Sequence, residues 1–321
     1  MSASAARVLG LIPYSRVGNL VGGGLMAVSM SLFVLNDSIM SSLQKPENVF
    51  GVEALALPAI IAVRSTLVVF FLAGLLYINR QPSGWRAALT NRWNLARAVA
   101  EASITLLFLS SLPFLPFAIA QTVIASNPIF LVFLGILFFG EQVGWRRWIA
   151  IGVGFFGIIC AVLALDPGDF TAQNFRWWAL PTCLMAACLV AFRDVFTRYV
   201  GESVPPITVA LTSSIVVTLY GWVFTLLGTW QVPSWHQGIF LLISAVLITG
   251  AYLCAVFSVR LGIFAVIGPV RFISLAIAFF LGVTMFQEPF SWIGFGGAFL
   301  IVGSAIWIML RQAHLDKQED S

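Results

Sequence analysis

The sequence predicts an all-α integral membrane protein with ten transmembrane helices, arranged as two inverted five-helix repeats. Hydrophobic residues fill 60% of the 321 positions and charged residues only 9%, too few charges to cover a water-facing surface. A hydrocarbon core of about 30 Å takes about 20 helical residues to cross, and apolar windows of that size recur ten times. An internal repeat with an odd number of spans in each copy must place the two copies upside down relative to one another.

The apolar windows give the predicted spans in chain order. Pro113 and Pro116 lack backbone donors and therefore split one long apolar run into the third and fourth crossings. The predicted spans are 18–43, 55–78, 94–112, 116–139, 148–165, 177–199, 206–228, 236–258, 262–286 and 290–310.

These spans set the predicted domain organisation, which contains no separate soluble domain. Its segments are a cytoplasmic N-terminal segment (1–17), the first repeat (18–165), an outer connecting loop (166–176), the second repeat (177–310) and a cytoplasmic tail (311–321).

The repeat is visible in the residues themselves. The segment 134–141, LGILFFGE, corresponds to 281–288, LGVTMFQE, at an offset of 147 residues, and the offset also relates Trp145 to Trp292. A second echo relates Asn-Asp-Ser at 36–38 to Arg-Asp-Val at 193–195 at an offset of 157. Inverted copies can exchange conformations and open a central site to alternate sides, which favours a transporter.

Orientation follows from the positive residues, since short loops rich in lysine and arginine stay in the cytoplasm. With both termini inside, the inner segments hold eleven such residues, and the outer loops hold only Lys45 and Arg176. The N-terminal segment has no apolar core followed by a cleavage site, so no cleaved signal peptide is expected. We expect a multi-pass protein of a bacterial inner membrane.

Other function classes find little support. The net charge of +4 is scattered over short loops, which argues against a nucleic-acid partner. The four cysteines lie inside apolar runs, so we expect neither a disulfide nor a metal site. His236 and His314 share no buried window with a nucleophile, and no phosphate-binding loop occurs, so we expect no enzyme, no catalytic residues and no cofactor. A channel is disfavoured because no filter signature or ring of like charges appears.

A family resemblance covers nearly the whole chain. The segment 115–121, LPFAIAQ, followed by Pro128, Gly140-Glu141 and the stretch 143–148, VGWRRW, resembles the EamA-type transporters of the drug/metabolite transporter superfamily. The 36–39 segment, NDSI, is similar to the same group. The resemblance implies ten helices, two inverted repeats and secondary transport of small metabolites, often amino acids. The second repeat departs from the family at Gln287-Glu288, where Gly-Glu is common. At the Gly140-Glu141 turn, we expect the glutamate to lie by the start of the next helix.

Ionisable residues deep in apolar windows are the candidate functional residues, because an unpaired charge at a helix centre costs roughly 2.5–3.5 kcal/mol. The predicted candidates are Asp37, Arg64, Glu101, Arg193, Asp194 and Arg271.

Arg271 is the leading candidate for substrate binding. It lies about 14 Å into the ninth predicted span, with no acid three or four residues away. Its partner is either Asp37 or Glu101 from the other half, or the anionic group of a substrate held by the guanidinium. Gln121, Asn127 and Tyr252 are predicted to add neutral hydrogen bonds in a mostly apolar pocket.

The candidates for coupling or gating are Asp37, Glu101, Asp194 and Arg193. Arg64 is a candidate for substrate binding or for pairing with Asp37. Glu101 is four residues after Arg97, so a pair within one helix is an alternative to a functional role. Asp194 has the same spacing from Arg198, while Arg193 is a candidate partner. Asp37 and Asp194 lie about 8–9 Å from opposite membrane faces, which suggests gates related by the repeat.

We therefore expect a secondary transporter that moves a small polar organic metabolite, an amino acid or a related carboxylate or zwitterion, with export as first choice. An importer or exchanger is the alternative, and a channel is less favoured. Coupling to protons, to sodium or to neither stays open, as does a monomer against a homodimer. Besides the substrate, the lipid bilayer is the expected partner.

Overall fold

The structure is a computed structural model that describes residues 16–45, 49–78, 85–139, 176–200, 204–228, 231–261, 270–288 and 291–319, with isolated helical positions between 145 and 160. Within these residues every regular element is a helix. We number the α-helices α1 (Arg16–Gln44), α2 (Leu57–Ile78), α3 (Trp85–Thr90), α4 (Arg92–Ser111), α5 (Phe117–Ile124), α6 (Asn127–Phe139), α7 (Ala179–Val200), α8 (Pro206–Leu227), α9 (Trp235–Leu261), α10 (Ile273–Thr284) and α11 (Trp292–Glu319).

Six of the described helices are long and apolar enough to cross a membrane: α1, α2, α4, α7, α8 and α9. Two shorter apolar stretches, Ile273–Thr284 and Trp292–Gly303, add to them. Many large apolar side chains face outward, including Leu226 at 82% exposure and Phe299 at 71%, as expected of a surface that meets lipid rather than water. The chain is a multi-pass membrane protein.

The two prolines of the 112–117 segment break the chain as predicted. Helix α4 ends at Ser111, a 3₁₀ turn spans Leu112–Phe114, and Pro116 immediately precedes α5. At the other end of α4 the Asn91 side chain accepts hydrogen bonds from the backbone N–H groups of Trp93 and Asn94, at 3.0 and 3.2 Å. This cap satisfies donors that a helix start leaves unpaired.

The fourth predicted span, 116–139, is not one helix. It is divided into α5 and α6 by a turn at Ala125 and Ser126. Pro128 has no N–H to donate to the carbonyl of Ile124, and the Asn127 side chain donates to that carbonyl instead, at 3.0 Å. The break therefore follows from the missing donor of a proline inside a helix.

The second half contains a similar turn. Arg271 and Phe272 form a turn before α10, and Ser274 Oγ donates to the Arg271 carbonyl at 2.9 Å. Ser274 follows Asn127, and Arg271 follows Ile124, by the same 147 residues that relate the sequence repeats. Of the ninth predicted span, residues 262–269 lie outside the described residues.

The most extensive helix contacts pair the front of the chain with the back: α1 with α9, α2 with α8, and α4 with α7. The contact of α2 and α8 is closest at Gly221, where a Cβ atom would lie only 2.6 Å from the backbone N of Ala62. Only glycine permits this approach of two helix backbones.

One predicted segment differs from the structure, and three others lie largely outside the described residues. Helix α11 continues to Glu319, so most of the predicted tail 311–321 is helical rather than a separate segment. Residues 1–15 of the N-terminal segment, residues 166–175 of the connecting loop and most of the fifth span, 148–165, lie outside the described residues.

Candidate functional site

A cluster of polar and charged side chains lies inside the helix bundle, where α1 meets α2, α5 and α9, and where α4 meets α7 and α9. Its most buried members include Asn36 at 0% exposure, Gln121 at 5%, and Arg64 and Glu101 at 7% each. Buried polar groups in an apolar bundle are costly unless they are hydrogen-bonded. The cluster therefore marks the candidate functional site.

Asp37 is held by two neutral amides. Asn36 Nδ2 donates to Asp37 Oδ1 at 2.9 Å, and Gln121 Nε2 from α5 donates to Asp37 Oδ2 at 2.9 Å. Arg64 interacts electrostatically with Asp37, but its hydrogen bond goes to Asn36 Oδ1, at 3.3 Å. The predicted Asp37–Arg64 pair is therefore indirect, because the Asn36 side chain forms hydrogen bonds with both residues.

Asn36 is a site residue that the sequence prediction passed over. Besides Arg64, its Oδ1 accepts a hydrogen bond of 2.6 Å from Ser244 Oγ on α9. It thereby joins α1, α2 and α9 at full burial. The repeat echo at 36–38 and 193–195 was the available signal, since it places Asn36 at the position of Arg193.

Glu101 on α4 accepts charge-assisted hydrogen bonds from the second half of the chain. Arg193 Nη1 lies 3.3 Å from Glu101 Oε2, and Tyr252 Oη donates to Glu101 Oε1 at 3.0 Å. The predicted partner within the helix, Arg97, instead donates to Thr197 Oγ1 at 3.0 Å and Ser213 Oγ at 2.7 Å. The hydrogen bonds of Glu101 therefore join the two halves rather than two turns of one helix.

Arg193 also binds its neighbour in sequence. Its Nε and Nη2 donate to Asp194 Oδ1 at 3.1 and 2.9 Å, just as Asn36 donates to Asp37. The Arg193 and Asp194 side chains keep 22% and 26% exposure, which leaves this pair in contact with solvent. The predicted partner Arg198 has a side chain outside the described residues.

A small cavity lies beside these groups and is partly open to solvent. Sites for small molecules are usually concave and mostly apolar, with a few convergent polar groups, whereas seven of the ten residues that line this cavity are polar or charged, so the predicted mostly apolar pocket is not found here. The lining residues are Arg64, Ser65, Val68, Glu101, Thr105, Ser213, Ser214, Val217, Ile248 and Tyr252.

The predicted substrate-binding residues divide into two groups. Arg64 and Tyr252 line the cavity, whereas Arg271, Asn127 and Gln121 do not. Arg271 is exposed and interacts electrostatically with Asp194 and Arg193, so the expectation that it pairs with Asp37 or Glu101 is wrong. Arg271 lies at the turn before α10, on the solvent-accessible side of the cluster.

The opposite side of the cluster is closed. We call it the Lys45 end, defined by Lys45, Phe117, Phe286 and Glu288. Phe117 and Phe286 stack with ring centroids 5.0 Å apart, and Lys45 Nζ lies 4.7 Å from the Phe286 centroid. Beneath them, a buried apolar core that includes Met40, Leu43, Leu112 and Leu115 fills the bundle.

Glu288 fastens this end by bridging the two halves of the chain. Its carboxylate accepts hydrogen bonds from the backbone N–H groups of Phe117 and Ala118, the latter at 3.2 Å. These are donors that the start of α5 leaves unpaired. The helix-start position expected for Glu141 concerns a turn outside the described residues, and Glu288, the corresponding residue of the second repeat, lies at the start of α5. Helix α5, which Glu288 contacts, belongs to the first half of the chain.

Burial also shapes the electrostatics of the Lys45 end. It raises the pKa of Glu288, against the opposing effects of the two backbone donors and of Lys45. It lowers the pKa of Lys45, against the effect of Glu288. Gln287, where the family commonly has glycine, has a φ of 53°, in the left-handed region that glycine adopts most easily.

Comparison with protein families finds a match over part of the chain. Residues 25–163 match the EamA-like transporter family, a family of the drug/metabolite transporter superfamily, so the resemblance predicted from the motifs is confirmed over these residues. The matched residues make up less than half of the chain and lie almost entirely in its first half.

A protein known from a crystal structure shares the fold. It superimposes with a TM-score of 0.56 at 16% sequence identity, over 95% of this chain and 99% of that one. At this identity the likeness concerns the fold alone. No curated protein matches the chain.

Proposed function

We propose that this protein is a secondary transporter that moves a small polar organic metabolite, bearing a carboxylate or another anionic group, across a bacterial inner membrane by alternating access. The observation that carries the proposal is the buried polar cluster with its cavity, built from both halves and closed at the Lys45 end. Export is the proposed direction.

The helix contacts support an inverted repeat as the mechanism. In this proposal α1, α2, α4 and α5–α6 are the first to fourth spans, α7, α8 and α9 are the sixth to eighth, and α10 is the ninth. An inverted repeat then relates the first span to the sixth, the second to the seventh, the third to the eighth and the fourth to the ninth. The α1–α9 contact then corresponds to the α4–α7 contact, and the α2–α8 contact corresponds to itself. Such contacts permit two mirror-related states of similar stability, as alternating access requires.

The proposed orientation places the Lys45 end outside. It follows from the bias of positive residues toward the other side. The structure then corresponds to a form closed to the outside, with Arg193, Asp194 and Arg271 accessible from the cytoplasm. In this scheme, Asp37 and Glu101 are coupling groups, and Arg271 is a cation at the entrance of the cavity.

Counterflow in proteoliposomes tests this proposal. Vesicles loaded with one of a set of unlabelled metabolites should accumulate the labelled form transiently, because a carrier exchanges substrate across the membrane. The rate should saturate with concentration. Flux without counterflow and with unitary currents would identify a channel instead and refute the proposal. Net movement in each direction, measured under imposed proton and sodium gradients, would decide between export and uptake.

A further inference from the structure

Arg64 is the one group of the site whose hydrogen-bonding capacity is left largely unused in the described part of the chain. A guanidinium has five N–H donors, yet Arg64 makes a single hydrogen bond there, to Asn36 at 3.3 Å. Its Nε is buried with no hydrogen-bond partner. The side chain is 7% exposed and lines the cavity. Unsatisfied buried donors of this kind are uncommon and point to a missing partner.

The acids of the site are already engaged. Glu101, which shares the cavity lining with Arg64, accepts hydrogen bonds from Arg193 and Tyr252 on its two oxygens. Asp37 accepts one amide hydrogen bond on each oxygen. A ligand that enters the cavity therefore meets free guanidinium donors, whereas an ammonium group at Glu101 would share oxygens that already accept hydrogen bonds and would lie near the positive charges of Arg193 and Arg97.

We infer that the cavity binds an organic monoanion, with its carboxylate on the free N–H groups of Arg64, in preference to an amine or a zwitterion. The inference rests on the proposed transport function but narrows its substrate class. The hydroxyl groups of Ser213 and Ser214, which line the same cavity, supply neutral donors. A planar carboxylate suits the geometry of a guanidinium better than a point charge does.

Asp37 provides a second test of the inference. It interacts electrostatically with Arg64 but does not accept a hydrogen bond from it. Its negative charge should oppose the binding of an anion. Arg64→Gln should therefore weaken anion binding, and Asp37→Asn should strengthen it. Two substitutions with opposite expected effects separate a ligand site from general damage to the fold.

The test measures the thermal stability of the purified full chain in detergent with a matched set of small molecules. Butyrate, butyramide, butylamine and 2-aminobutyrate differ in their charged groups while sharing a four-carbon skeleton, and benzoate adds a larger carboxylate. A ligand that binds only the folded state raises its melting temperature. We expect butyrate or benzoate to raise it more than the amide, the amine or the zwitterion. Chloride and sulfate separate inorganic anions from organic ones.

The variants complete the test. In Arg64→Gln the affinity for the carboxylate should fall about tenfold or more, and Arg64→Lys should retain weaker binding if the glutamine variant does not fold. The matched control is Arg92→Gln, an exposed arginine that lies over the Trp93 ring, which should bind as the parent does.

Three results would overturn the inference: equal or larger shifts with the amine or the zwitterion, no shift with any carboxylate, or unchanged carboxylate binding in both Arg64 variants. Failure of the proposed function is distinguishable. Carboxylate binding without counterflow would refute transport while leaving this site intact, and counterflow of an amine would do the reverse.

Discussion

Replacing Glu288 by alanine should open the Lys45 end of the bundle. The substitution removes the acceptor of the Phe117 and Ala118 N–H groups, at the start of a helix that is largely buried. A buried donor left without a partner costs about 1–3 kcal/mol. Counting the two donors at the low end, because the contact is only partly buried, gives about 2 kcal/mol. This corresponds to a shift of about thirtyfold in the equilibrium between closed and open forms, at 1.4 kcal/mol per factor of ten.

A cysteine at position 115 reports this opening. Leu115 is 1% exposed in the core beneath the Lys45 end, so Leu115→Cys should react slowly with an impermeant maleimide added from outside. Glu288→Ala should raise the labelling rate about thirtyfold, by the same free energy. Glu288→Gln should stay near the parent, because its amide oxygen remains an acceptor. The matched control is Glu53→Ala, which removes an exposed acid at the same end. Equal labelling in Glu288→Ala, Glu53→Ala and the parent would refute the reasoning.

Three further predictions concern packing, pH and the entrance. Gly221→Ala should lower the melting temperature, because a Cβ 2.6 Å from the backbone N of Ala62 forces two helix backbones apart. This overpacking costs about 1–3 kcal/mol of stability, whereas the higher helix propensity of alanine returns about 1 kcal/mol. Gly74→Ala, which meets no atom within 4 Å, should be neutral or stabilising; the opposite order would contradict this account. Burial raises the pKa of Glu288, so the closed end binds a proton more tightly than an open, solvated one. Closure should weaken as the pH rises from the usual glutamate range through the raised pKa. The position-115 reporter should show this dependence in the parent and lose it in Glu288→Gln. Arg271→Ala should abolish and Arg271→Lys impair counterflow, since a point charge replaces a planar donor group; full activity of a well-expressed alanine variant would exclude a role in transport.

Hydropathy alone predicted the long helices well, because a lipid-facing helix must be apolar over its whole length. The six long spans coincide with helices in the structure, and the prolines of the 112–117 segment end α4 where expected. The division between α5 and α6 was missed, since both pieces are apolar and a window average cannot resolve a single absent donor. The Asn127-Pro128 dipeptide was the usable signal.

The sequence predicted several members of the buried cluster but not their contacts, and it passed over Asn36. Depth within an apolar window identified Asp37, Arg64, Glu101 and Arg193, all of which lie in the cluster. Spacing along one helix offered Arg97 as an alternative partner of Glu101, and Arg97 does act on it electrostatically, but the hydrogen bonds of Glu101 come from Arg193 and Tyr252 in the second half. Hydropathy carries no information about which helices pack together, and so the sequence did not indicate that Asp194 is the acid that acts on Arg271.

The pairing of helices across the two halves has a consequence for biosynthesis. Helices α1, α2 and α4 each pack most extensively on a helix of the second half, so the first half made alone lacks the surfaces that cover Asn36, Arg64 and Glu101. These polar groups would then face lipid at a cost of several kcal/mol. We expect the newly made first half to stay near the insertion machinery until the second half arrives. Residues 1–165 and 166–321 expressed as separate chains should accumulate together and be degraded when either is made alone.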